Sequence, residues 1–265
     1  MRPLLTEFIH FGLKQARACI FGALLLAGIV GTRLWYPEAP AVHRYDFLFG
    51  YAIAIQVVLI ACRLESVREF GVVIVFHVMA TAMELFKTSD AIGSWAYPEA
   101  AVIRLGGVPL FAGFMYSAVG SYMARIWRIF RFRFEHFPPI PVAAGLALLA
   151  YVNFFTHHYT FDIRWLVLAG IGAFFWRTQV CFTPQHRERK MHLLLGLALV
   201  AVFIWIAENL GTIARAWVYP HQQDGWRMVE FAKITSWFLL MQLSFVLIYV
   251  LRTIEGRIAP GAAPR

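Results

Sequence analysis

Apolar residues come in long runs along the chain, at 16–34, 45–63, 70–87, 106–127, 138–157, 163–181, 191–210 and 231–251. Short segments rich in Arg, Asp, Tyr and Pro separate them. Each run is close to the roughly 20 residues that carry an α-helix across about 30 Å of hydrocarbon. Helix is also the open element that satisfies its own backbone there. The alternating segments of about ten residues that a barrel needs are absent. The pattern therefore predicts an all-α, polytopic transmembrane helical bundle of about eight spans, forming a single integral-membrane domain over 1–265. Two runs carry polar interruptions: 70–87 contains His77 and Glu84, and 163–181 ends in Arg177, Thr178 and Gln179.

Composition agrees with the pattern. Of 265 residues, 60% are apolar and 15% charged, which excludes a disordered chain and argues against an ordinary soluble domain. A net charge of +9 would point to nucleic acid in a soluble chain. Here the basic residues sit in short loops, where anionic lipid and the positive-inside rule account for them. Membrane lipid is thus the expected partner and nucleic acid is not; protein partners are left open.

Charge also predicts orientation. Lys14, Arg17, Arg63, Arg68, Arg252, Arg257 and Arg265 fall with most other basic residues on one face, setting both termini in the cytoplasm of a bacterial cell with the chain in its inner membrane. Arg125, Trp127, Arg128, Arg131 and Arg133 form the strongest basic patch, read as a lipid-facing anchor on that face. Cys19, Cys62 and Cys181 show no metal or disulfide spacing and read as small core residues.

Polar residues near the outer helix ends carry the candidate chemistry. Water-facing loops account for Asp46, Asp90 and Asp224. Glu84 and Glu208 resist that account, because each terminates an apolar helix on its membrane side. Glu84 leads to Thr88 and then Trp95-Ala96-Tyr97-Pro98; Glu208 leads to Thr212 and then Trp217-Val218-Tyr219-Pro220. The Glu-to-Trp separation is 11 in one and 9 in the other. This echo predicts a parallel internal repeat, spans 3–4 resembling spans 7–8, with units 70–127 and 191–251.

A carboxylate near hydrocarbon must be protonated, paired, bound to a cation or facing a wet cavity. His77 shares a helical face with Glu84, Lys87 follows Glu84 by three, and Asn209 adjoins Glu208. Asn153 and His157 share a face near the end of the fifth run. Two chemistries fit. Glu84, Glu208, His77 and His157 could ligate a divalent metal, zinc or iron. Alternatively, the glutamates act as an acid/base pair, with Asn209 beside them and Trp95, Tyr97, Trp217 and Tyr219 shaping an apolar pocket. Lys87, Asn153 and Arg104 complete the candidate pocket, Arg104 with Gly106-Gly107-Val108-Pro109 as an anion or headgroup contact. No P-loop, dinucleotide fingerprint or nucleophile elbow is present.

With MELFKTSDAIGSWAYPE at 83–99 and AENLGTIARAWVYP at 207–220, the chain resembles a bacterial integral-membrane family, domain of unknown function 817, over about residues 7–255. That resemblance implies the membrane class and no activity. A more distant similarity, to membrane carotenoid hydratases, rests on Glu84, Gly93-Ser94-Trp95-Ala96-Tyr97 and Gly107-Val108-Pro109; membrane lycopene cyclases resemble the chain in glutamates near aromatic residues. It implies an isoprenoid- or lipid-modifying enzyme with its carboxylate site on the exoplasmic side. The alternatives are a small transporter or lipid- or cation-binding membrane protein, in which the same carboxylates hold a proton or cation, and a structural or assembly protein.

Overall fold

The computed structural model describes residues 2–254 and 256; Arg257 and Arg265, counted with the inner-face charge, lie outside the described residues. Among the described residues four helices are long and apolar enough to cross a membrane: α3 (Arg44–Ala61), α4 (Val67–Lys87), α8 (Leu193–Ile213) and α9 (Lys233–Ile254). A fifth span results if α1 (Arg2–Ala18) and α2 (Ile20–Trp35), broken at Cys19, count as one. The outward sides of these helices carry apolar residues, as at Val57, Val58, Val78 and Phe203, all more than half exposed.

The expected eight spans are therefore corrected to four or five, and the reasons lie in the lengths. α7 (Arg164–Phe175) has 12 residues, about 18 Å of helix, and the polar series at 177–179 runs straight into a strand. α6 (Ile140–Thr156) has 17 residues, about 26 Å, short of the roughly 30 Å required. α5 (Phe111–Phe130) is long enough, but Ser117, Ser121, Arg125 and Arg128 lower its apolar character below that of a span. No internal repeat is evident either. Most of 70–127 falls within one compact unit, whereas 191–251 is divided between two. The resemblance between the two Glu and Trp-x-Tyr-Pro segments is confined to helix ends and loops.

One unit comprises Ala18–Arg125 and Ile206–Glu230. Its apolar core includes Phe21, Leu25, Leu48, Ala52, Val73 and Phe114. α2 and α3 approach closely because Gly28 leaves room for Tyr51: a Cβ on Gly28 would stand 2.3 Å from the Tyr51 ring. α4 starts at a reciprocal cap in which Ser66 Oγ accepts from the Glu69 amide at 3.2 Å and Glu69 Oε2 accepts from the Ser66 amide at 2.8 Å. Within this unit α5 lies tight against α4. Ser117 Oγ donates to the Val73 carbonyl at 3.0 Å, and Gly113 and Gly120 make space for His77 and Phe76. A two-stranded hairpin, β1 (Arg104–Leu105) and β2 (Val108–Pro109), leads into α5.

The other unit comprises Met1–Arg17, Ile126–Trp205 and Phe231–Arg265. There α6 packs on α9 and α7. A three-stranded antiparallel sheet forms from β3 (Arg133–Glu135), β4 (Gln179–Phe182) and β5 (Arg189–His192), in the order β3-β4-β5. Aromatic rings fill the space beside it: Phe137 stacks on Tyr249 at 3.8 Å, and Trp127 sits 4.9 Å from Phe134. Cys181 is buried here, while Cys19 and Cys62 are exposed, which corrects the expectation of three core cysteines.

The sheet's charges make a pH-dependent contribution. Glu135 accepts from Lys190 at 2.8 Å and from Arg133 at 3.0 Å. The Lys190 ammonium first, then Arg133, hold its carboxyl below the usual carboxylate range. A depressed acid stabilises the fold above its unfolded pKa and loses that contribution as pH falls through the folded one. Cross-strand amides of the sheet are accordingly expected to lose protection from hydrogen exchange below about pH 4, and Glu135→Gln to abolish that dependence.

Candidate functional site

The site grows from the end of α4. The Thr88 amide and hydroxyl both donate to the Glu84 carbonyl, closing the helix. Gly93 then takes a left-handed φ of +56°, and the Ser94 amide returns to the Lys87 carbonyl at 2.8 Å. The chain runs back extended, so Trp95 and Tyr97, two residues apart, point to the same side. The Trp95 indole and the Tyr97 hydroxyl each donate to Glu84 Oε2 at 2.8 Å. Tyr116, on α5, adds a third hydrogen bond to the same carboxyl.

The end of α8 is built alike. Trp217 and Tyr219 also flank one extended residue; the Tyr219 hydroxyl donates to Glu208 Oε1 and is itself hydrogen-bonded by Trp217. The two extended segments pair. The Ala96 and Val218 amides donate to each other's carbonyls at 2.9 Å, an antiparallel bridge, and the Trp95 ring meets Tyr219 edge-on at 6.2 Å. Tyr116 stands within electrostatic reach of Glu84, Glu208 and Tyr219 together. Glu84 is 1% exposed and Glu208 3%. Burial first, then the neighbouring carboxyl, holds the Tyr97 and Tyr219 phenols well above their ordinary range. Both therefore remain protonated and act as donors.

A second layer holds the loops in place. Asp46, at the start of α3, accepts from the Val102 and Ile103 amides at 2.8 Å each. Arg44 pairs with Glu99 and donates to the Ala214 carbonyl at 3.0 Å, and the Tyr45 hydroxyl donates to the Ala216 carbonyl at 3.1 Å. Asp46 is thus a buried tether and not a solvated loop charge. Asp46→Ala is expected to cost about 1–3 kcal/mol by leaving two amides unsatisfied, read as faster hydrogen exchange at Val102 and Ile103.

The remaining candidates scatter. His77 lies against Phe114, with ring centroids 4.5 Å apart, two helical turns from Glu84. Asn209 fixes a loop, its Oδ1 accepting from the Val229 amide at 2.9 Å. Arg104 is exposed and ties its own hairpin, donating to the Gly106 and Gly107 carbonyls at 3.0 and 3.1 Å. His157 and Asn153 belong to the other unit, where Asn153 closes the α6–α7 turn through Asp162 and the Ile163 amide. Among the described residues no group of three or more His, Cys, Asp or Glu side chains is placed to hold a metal. The zinc or iron alternative, which would draw on Glu84, Glu208, His77 and His157, thus has no such group behind it among the described residues. Sequence reasoning missed Tyr116 and the Arg44-Tyr45-Asp46 tether. Tyr116 is hidden inside an apolar run, though the neighbouring Gly113, Ser117 and Gly120 mark a face where another helix packs closely.

The family model described as protein of unknown function, DUF817, matches residues 7–245. The chain belongs to the DUF817 family. It is 37% identical over 251 residues to the uncharacterized protein YoaT of Bacillus subtilis (strain 168), covering 95% of this chain and 94% of that one. No solved structure matches. The DUF817 chain is thus a multi-pass membrane protein of a bacterial family. Neither match carries the hydratase or cyclase resemblance.

Proposed function

We propose that this DUF817 protein is a small proton-handling membrane transporter, with Glu84 and Glu208 as the groups that take up and release the proton. The observation that carries this reading is the network itself. Two nearly inaccessible carboxyls near the ends of α4 and α8, both helices long and apolar enough to span, each accept from tyrosine hydroxyls, Glu84 from Tyr97 and Tyr116 and Glu208 from Tyr219, and Tyr116 stands within electrostatic reach of both. Ionisable groups buried in spanning helices are costly and mark ion or proton paths. A phenol beside a carboxyl can pass a proton without opening the site to lipid. A bacterial inner membrane holds the gradient that such a site would use.

The isoprenoid- or lipid-modifying reading draws support from the aromatic walls, Trp95 and Trp217. It needs a carboxyl presented to an acyl or polyene chain, whereas Glu84 Oε2 already accepts two protein donors. Proteoliposomes with an entrapped pH dye and an imposed potassium diffusion potential separate the two. Wild-type protein is expected to conduct protons above empty liposomes, and Glu84→Gln and Glu208→Gln to slow the flux by about tenfold or more. Flux equal to wild type in both variants would overturn the reading. A polyene retained stoichiometrically after gentle extraction would favour the enzyme.

A further inference from the structure

The proton-handling reading leaves the far end of α4 unexplained, and a second buried polar cluster lies there. Glu65, in the turn before α4, is 2% exposed; Gln56 is 3% exposed, and Ser121 and Arg125 on α5 are fully buried. Ser121 Oγ donates to Glu65 Oε1 at 3.3 Å. Glu65 Oε2 has no hydrogen bond in good geometry, and neither does the Gln56 amide that faces this carboxyl. Arg125 sits beside the same carboxyl. α4 has 21 residues, about 31 Å of helix, so Glu65 and Glu84 stand about one hydrocarbon thickness apart.

Between them the seam of α4 and α5 is not dry hydrocarbon. Moving from Glu65, it presents Ser121, then Ser117 bonded to the Val73 carbonyl, then His77 and Thr81, then Tyr116 at Glu84. His77 Nδ1 is buried and faces the Gly113 backbone without a hydrogen bond in good geometry. It lies against Gly113, where an added Cβ would come within 2.5 Å of Nδ1 and 2.7 Å of Thr81 Oγ1. A buried imidazole nitrogen held only by a poorly aligned backbone group is costly in a spanning segment, and a visiting water or proton relieves that cost.

We infer that a proton path runs along the spanning helix α4, on its seam with α5, from the Glu65–Arg125 cluster, through Ser121, Ser117, His77, Thr81 and Tyr116, to Glu84. The proton enters at the Glu65 carboxyl. His77 takes a proton on one ring nitrogen and releases one from the other, hydroxyls and intervening water carry it to Tyr116, and Glu84 accepts it. No other bond changes. Arg125 and Glu69 face the entry; Tyr97, Glu208 and Tyr219 face the exit, with Lys87 three residues beyond Glu84 on α4. Phe76, filling the space left by Gly120, narrows the seam between Ser121 and His77.

This inference rests on the reading of Glu84 as a proton acceptor, and the test keeps the two apart. Wild type, Glu65→Gln, His77→Leu and Glu84→Gln are compared as full-length protein in the dye-loaded proteoliposomes. Infrared difference spectra between acid and alkaline pH follow the carboxyl band that Glu84→Gln removes. The path predicts that Glu65→Gln and His77→Leu lose most of the flux, about tenfold, while the Glu84 band still titrates. Wild-type flux in His77→Leu and Glu65→Gln, with Glu84→Gln inactive, would overturn the path and keep the acceptor. Wild-type flux in Glu84→Gln, or no flux in wild type, would overturn both. If Glu65→Gln fails to fold, His77→Leu alone decides, because no charge is removed with it.

Discussion

Lys87→Met is expected to cost the folded protein about 3–5 kcal/mol, and the second change Glu208→Gln to recover most of that loss. Lys87 is only 5% exposed and Glu208 3%, in the same compact unit. Snorkelling, the simplest expectation for a lysine at a helix end, is therefore excluded. An ammonium removed from water is tolerated when an opposite charge and hydrogen bonds replace the lost solvation. Glu84 has three hydrogen-bonding partners in Trp95, Tyr97 and Tyr116, whereas the pairing of Trp95 with Tyr219 brings the other helix end alongside. Glu208 is accordingly the expected counter-charge. Chemical unfolding in micelles of both single variants and the double variant gives the coupling energy. A coupling near 2–4 kcal/mol supports the pair; additive losses would assign the Lys87 charge to another group.

The pair also shows what could be read in the sequence. Glu84 and Glu208 stand out because a charge at the end of an apolar run has few inexpensive explanations, and the structure brings both into one aromatic network. The Trp-x-Tyr-Pro segments were legible as a motif, and extended geometry explains their spacing: alternate residues share a face, so each Trp and Tyr turn inward together. The larger repeat built on that motif does not follow, because five shared positions near a membrane interface constrain two helix ends and their loops and leave the rest of the helices free. Span counting failed for a similar reason. Hydropathy alone registers 138–157 and 163–181 as apolar, but crossing depends on helix length, and α7 gives way to a strand after 12 residues. The tether at 44–46 was illegible because a charged residue at a helix start looks alike whether it meets water or the backbone of a distant loop.

Arg125→Met is the other substitution with a large expected cost, about 3–5 kcal/mol, whereas Arg128→Met should stay within about 0.5 kcal/mol. Both were read as one basic, lipid-facing patch, and the structure divides them: Arg125 is 0% exposed, whereas Arg128 is exposed. Three residues along α5 turn the side chain about 300°, enough to take one arginine inside and leave the other out. Inside, Arg125 stands beside Glu65, whose carboxyl is held above its ordinary range, first by burial and against the pull of Gln56 and Arg125. Removing the arginine strands that carboxyl in a low-dielectric interior, so the expected loss grows as pH rises through the Glu65 pKa and shrinks below it. Glu65→Gln in the Arg125→Met background should remove that pH dependence and restore most of the stability. Equal losses for Arg125→Met and Arg128→Met, independent of pH, would return Arg125 to the surface patch and leave Glu65 balanced by something else.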